Sequence, residues 1–144
     1  MAKVYFAAAI LGDRSNLSDD KRIISGLKSM GFKVLTFDWI VSDSTDLDRG
    51  LTPLEIFERD MKLLNECDFV IADVSYPSLG VGFEIAYALL MNKLVIAFCR
   101  KDRVEKTSAL IRGISWKNFR FIEYDTVESL LNTIKALTSS FKPF

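Results

Sequence analysis

The chain reads as an α/β fold, a five-stranded, mostly parallel sheet covered by helices on both faces. Apolar strand-length runs alternate with amphipathic helical segments from end to end, the pattern of parallel βαβ units. The first run, Val4 to Ile10, is continuously apolar and suits a strand buried on both sides. No internal repeat, linker or low-complexity tract interrupts the 144 residues, so residues 1–144 are expected to form one domain.

After the first strand, Ser18 is placed to cap a helix over Asp19–Met30, whose Ile23, Ile24, Leu27 and Met30 share a face. Gly31 ends it, and Phe32–Phe37 is the second strand. Asp38–Gly50 is polar, carries Trp39 and is long for an α/β connection, which suggests a lid or binding loop. Thr52-Pro-Leu-Glu55 combines a capping Thr, Pro at the first helical position and a capping-box Glu, and this helix runs to about Glu66. Strand three is Asp68–Val74. A Gly/Ser-rich loop follows, and then a helix opening near Ile85. Leu94–Phe98 is strand four, Arg100–Lys106 a charged loop, and Ser108–Arg112 a short helix. Phe119–Tyr124 is strand five, and Thr126–Phe141 is the last helix, apolar along Val127, Leu130, Leu131, Ile134 and Leu137.

Composition narrows the function. Lys+Arg and Asp+Glu both number 19, with no basic stripe, which argues against a nucleic-acid polymer as partner. There is no His, so acid and base work falls to Asp, Glu, Tyr or Lys, and most zinc sites are excluded. Cys67 and Cys99 read as buried free thiols of a reducing cytosol. The N-terminal apolar run is too short to span a membrane and lacks a signal-peptide layout, so a cytoplasmic protein is expected.

The segment from Asp73 to Glu84 holds the densest chemistry. A strand, a Gly/Ser loop and a helix start make an anion cradle, with Ser75, Ser78, Gly80 and Gly82 lining it. The alternative is a plain Gly-rich turn. Glu84, read in the first helical turn, is either a solvated acid or a nucleophile kept ionised by the helix dipole. Asp60 stands among Ile56, Phe57, Leu63 and Leu64 on its helix. It either reaches solvent at the border of the stripe or is a proton donor raised by apolar surroundings. One ionised and one protonated carboxylate is the layout of retaining glycosyl transfer. Tyr5 can bond one of them or be an ordinary strand aromatic. Asp73 either belongs to the site or holds the loop through backbone N–H groups. Trp39, Asp38 and Phe6 are candidates to stack on or bond to a ligand, and Trp39 can equally be core or interface. Nothing here calls for a metal or an organic cofactor.

These residues resemble the nucleoside 2-deoxyribosyltransferase superfamily. The matching segments are Tyr5-Phe6-Ala-Ala-Ala-Ile10, Asp60 within Glu-Arg-Asp-Met-Lys-Leu-Leu, Ala72-Asp73-Val74-Ser75, and Pro77-Ser78-Leu79-Gly80-Val81-Gly82-Phe83-Glu84. With Ser108-Ala-Leu-Ile-Arg-Gly113, the likeness is closest to the 2′-deoxynucleoside 5′-phosphate N-hydrolase branch. The resemblance implies a Rossmann/flavodoxin-like three-layer α/β/α fold. It further implies Glu84 as nucleophile forming a covalent deoxyribosyl-enzyme, Asp60 assisting departure of the base, and Tyr5 positioning the nucleophile. Ser78 and the Gly80 and Gly82 backbone then surround the 5′ end of the sugar. Ser108 reaches the phosphate from a neighbouring subunit, which implies a homodimer with shared sites.

A Ser rather than an Asp at position 78 favours a 5′-monophosphate, since a hydroxyl can donate to a phosphate that a carboxylate would repel. The branch carries a Ser and an Arg where this chain has Ala9 and Leu11, and Arg14 and Arg112 are the candidates to replace those contacts. The expected activity is hydrolysis of deoxynucleoside 5′-monophosphates to free base and deoxyribose 5-phosphate. The alternatives are a transferase exchanging bases between deoxynucleosides and a non-catalytic nucleotide sensor.

Overall fold

The computed structural model describes residues 1–9, 12–36 and 50–140. In chain order it contains β1 (Lys3–Ala7), α1 (Leu17–Ser29), β2 (Lys33–Val34), α2 (Pro53–Glu66), β3 (Phe69–Asp73) and α3 (Leu79–Leu90). Then come β4 (Leu94–Arg100), a 3₁₀ segment (Lys101–Lys106), α4 (Ala109–Arg112), β5 (Phe119–Tyr124) and α5 (Val127–Ser139). The strands form one sheet in the order β2-β1-β3-β4-β5, and every described pair is parallel. Parallel neighbours need long crossovers, and the helices supply them.

Strand alternation assigns each side chain to a layer. Val4 and Phe6 of β1 and Ile71 of β3 pack with Ile23, Ile24 and Leu27 of α1 and with Leu130 and Ile134 of α5. Tyr5 and Ala7 of β1 and Val70 and Ala72 of β3 face the other way, onto Leu64 of α2 and Val81, Ile85 and Ala88 of α3. Phe6 is therefore committed to the α1/α5 core, 6.0 Å from the Phe98 ring, and is not available to a base.

The local signals at Thr52 predicted α2 well. Its hydroxyl accepts from the Glu55 N–H and the Glu55 carboxylate accepts from the Thr52 N–H, with Pro53 opening the helix. Such a cap contributes about 1 kcal/mol. The start of α1 differs from expectation. The helix begins at Leu17 with Asn16 before it, so Ser18 lies inside the first turn. Asn16 makes no capping bond, because its side chain serves Asp73 and Tyr124.

The start of α3 differs most. The helix begins at Leu79, and the Ser78 hydroxyl accepts from the Val81 N–H at 3.3 Å. Gly80 and Gly82 are thus helical, at about 1 kcal/mol each relative to Ala. Glu84 is past the first turn, where the dipole effect has faded. Cys67 and Cys99 are buried and unlinked. No helix among the described residues is long and apolar enough to cross a membrane.

Candidate active site

Strand order reverses between β1 and β3, and in such sheets the ligand crevice opens beyond the strand ends at that point. Tyr5 of β1 is 2% exposed and faces α2 and α3. Its phenol and the Glu84 carboxylate of α3 lie close enough for each to act on the other. The charge of Asp60, on α2, acts on the same phenol and on Glu84. Arg59 Nε donates to Asp60 Oδ1 at 2.9 Å. One strand and two helices thus bring together a phenol, two carboxylates and a guanidinium.

Burial governs the protonation of this group. It raises Glu84 from its ordinary 4.5 to about 7; the Tyr5 hydrogen bond pulls the value back, the Asp60 charge adds to the rise, and the Arg59 charge opposes it. The expectation of a firmly ionised, dipole-held Glu84 is corrected, because desolvation outweighs a dipole whose first turn lies elsewhere. Burial, then the charges of Glu84 and Asp60, push the Tyr5 phenol far above the usual phenol range, so it stays a neutral donor. Asp60 was expected among apolar groups. It is half-buried and has Arg59 for a partner. Arg59 escaped the sequence reading because adjacent helical positions do not ordinarily face each other.

The other candidates separate into two places. The Ser78 hydroxyl, while capping α3, still has its own O–H to donate. A Cβ on Gly82 would meet open space, so the fold does not require glycine there. Ser108 caps α4 through the Ile111 N–H at 3.4 Å. Ser78, Leu79, Gly82, Ser108, Leu110 and Trp116 line one cleft of about 800 Å³. Asp73 lies elsewhere. Its Oδ1 accepts from the Ser75 N–H at 2.9 Å and its Oδ2 from Asn16 Nδ2 at 2.8 Å, so its carboxylate secures the loop and the first turn of α1.

Arg112 Nε donates to the Thr107 carbonyl at 3.2 Å. Ala9 lines a small cavity beside α1 together with Arg14 and Asp20. Leu11, Asp38 and Trp39 lie outside the described residues.

A doubly wound sheet with two carboxylates converging on a buried phenol at its switch point has the parts of an enzyme acting on glycosidic bonds. The family model described as nucleoside 2-deoxyribosyltransferase matches residues 4–123. A protein of Thermofilum pendens with the provisional name 2′-deoxynucleoside 5′-phosphate N-hydrolase 1 is 48% identical over 135 residues, covering 94% of each chain. The 5-hydroxymethyl-dUMP N-hydrolase of Mus musculus is 36% identical, over 91% of this chain and 76% of its own. Among solved structures, the CMP N-glycosidase of Clostridium botulinum superposes with a TM-score of 0.70 at 23% identity, over 94% of this chain and 98% of its own. The chain belongs to the nucleoside 2-deoxyribosyltransferase family.

Proposed function

We propose that the protein hydrolyses the N-glycosidic bond of 2′-deoxynucleoside 5′-monophosphates, giving free base and deoxyribose 5-phosphate. The observation that carries this reading is the buried Tyr5 phenol and the Glu84 carboxylate acting on each other, with the Asp60 charge upon both. In the first step ionised Glu84 attacks C1′ and the C1′–N bond breaks. Asp60 gives its proton to the base, which leaves with the bonding pair. In the second step water attacks C1′ of the glycosyl ester and passes its proton back to Asp60, Glu84 leaves as a carboxylate, and the sugar phosphate is released. Tyr5 holds the carboxylate at C1′. Ser78 and the opening turn of α3 face the 5′-phosphate, and the names of the relatives support that substrate class.

The chain works as a homodimer in which Ser108 of one copy completes the phosphate site of the other. Leu79 and Leu110, 97% and 81% exposed beside the half-exposed Trp116, form an apolar rim that a second copy would cover. Base exchange between deoxynucleosides is the second reading, favoured by Ala9 standing where the hydrolase branch has a Ser. A panel of deoxynucleosides and their monophosphates, each with and without a second base, decides. Free base from monophosphates alone is expected. A mixed nucleoside appearing in its place would establish the transferase.

A further inference from the structure

On the α1 side of the sheet a second acidic pair is buried. Asp20, in the first turn of α1, is 4% exposed, and Asp73, closing β3, is also buried. Both line the same small cavity beside α1, close enough for the Asp73 carboxyl to act on Asp20. Two carboxyls in contact away from water share a proton, because two like charges there repel strongly. Both oxygens of Asp73 already accept, from Asn16 and from the Ser75 N–H, so a proton between the two belongs on Asp20. Asp20 is raised well above its ordinary value, first by burial and then by the Asp73 charge. Its Oδ1 is buried without a hydrogen-bond partner among the described residues. Around the pair stand Asp19 on α1, Asp13 and Arg14 from the β1–α1 loop, Tyr76 from the loop after β3, and Tyr124 of β5. Asp19 adds to the rise and Arg14 opposes it.

Asp73 is the first anchor of the loop that leads to the active-site helix. The next residues are tied in turn. Ser75 Oγ accepts from the Arg100 N–H at 3.0 Å, and Arg103 Nε donates to the Ser75 carbonyl at 3.0 Å with its guanidinium 4.2 Å above the Tyr76 ring. The Pro77 carbonyl would stand 3.3 Å from a Cβ on Gly12, and Ser78 then caps α3.

We infer that Asp20 is a positioning residue: the hydrogen bond it donates to Asp73 fixes the Ser75–Ser78 loop and, through the start of α3, the placement of Glu84. Its effect on catalysis rests on the proposed role of Glu84, whereas its hold on the loop does not. Ionisation of Asp20 sets two anions against each other across α1 and β3. The loop then loosens as pH rises.

The test follows the ¹³C resonance of the Asp20 carboxyl and the exchange protection of the Ser75 amide from about pH 6 to about pH 10. It compares the wild-type protein with Asp20→Asn, whose amide donates at every pH, and with Asp20→Ala, which cannot donate. The wild type should show a protonated Asp20 at neutral pH and lose Ser75 protection about tenfold or more as that group ionises. Asp20→Asn should keep protection across the range, with kcat for base release near wild type at neutral pH and no matching alkaline fall. Asp20→Ala should show the low protection at all pH values. An ionised Asp20 at neutral pH, or an Asp20→Asn protein whose protection falls as the wild type's does, overturns the inference. If no base is released under any condition, the functional reading fails, while the resonance and exchange data still decide the role of Asp20 in the loop.

Discussion

Replacing Glu84 by Gln should make the protein more stable at neutral and alkaline pH while abolishing its chemistry. The folded protein holds Glu84 at about 7 against an ordinary 4.5, so between those values it binds a proton that the unfolded chain has released. Stability from this group is therefore intact below about pH 4.5, falls as pH rises toward 7, and is level above that. At about 1.4 kcal/mol per unit, a rise of about 2.5 units amounts to about 3 kcal/mol. Gln is neutral throughout and still accepts from Tyr5, though more weakly than a carboxylate. The residual exposure of Glu84 trims the figure further, so a gain of about 1.5–3 kcal/mol at about pH 8 is expected, shrinking to near zero at about pH 4.5. Urea unfolding at the two pH values measures it, with the m-value held common. Base release should drop on the order of a thousandfold or more, as for loss of a nucleophile. A stability difference that does not change with pH would refute the burial of a protonated Glu84.

Tyr5→Phe removes the phenol that holds Glu84 down, so the rising acid limb of kcat/KM should move up by about one to two pH units. A stationary limb would separate Tyr5 from Glu84. Gly82→Ala adds a methyl group in open space within α3 and should raise stability by about 0.5–1 kcal/mol. If ligand or a second copy approaches that backbone, the same change lowers base release, and unaltered activity would remove Gly82 from the site. Gly26→Ala places a Cβ against Leu131 of α5. Overpacking should outweigh the helix-propensity gain and destabilise by about 1 kcal/mol in urea unfolding. In a double-mutant cycle with Leu131→Ala a coupling should appear, and additive effects would contradict the α1–α5 contact.

How much of this was legible in the sequence depended on how local each signal was. The start of α2 lies wholly within Thr52–Glu55, and it was read correctly. The layers were legible too, because strand alternation and helical periodicity carry them. The start of α3 was misplaced because Gly80 and Gly82 are turn residues by propensity. What holds them helical is the Ser78 cap and the burial of Val81, Ile85 and Ala88 against the sheet, which is a tertiary effect. The same error put Glu84 under the dipole and concealed its burial. Asp19 and Asp20 looked like ordinary first-turn acids, and only the approach of β3 to α1 buries Asp20 beside Asp73.

In the proposed mechanism the same carboxylate, raised to about 7, must both attack and depart. A more basic Glu84 is the better attacker at C1′, yet it is also the worse leaving group when water opens the glycosyl ester. Tyr5 answers that conflict. Its phenol is held neutral by burial, and by the carboxylates themselves, at every working pH, so its O–H is always present to meet the charge that returns to Glu84 in the second step. The bond that lowers the Glu84 value in the resting protein is thus also the one that strengthens as Glu84 leaves. It follows that Tyr5→Phe should slow breakdown of the glycosyl-enzyme more than its formation. Rapid-quench detection of base release should then show a burst in the variant that the wild type lacks, and a variant without a burst would place the role of Tyr5 in the first step alone.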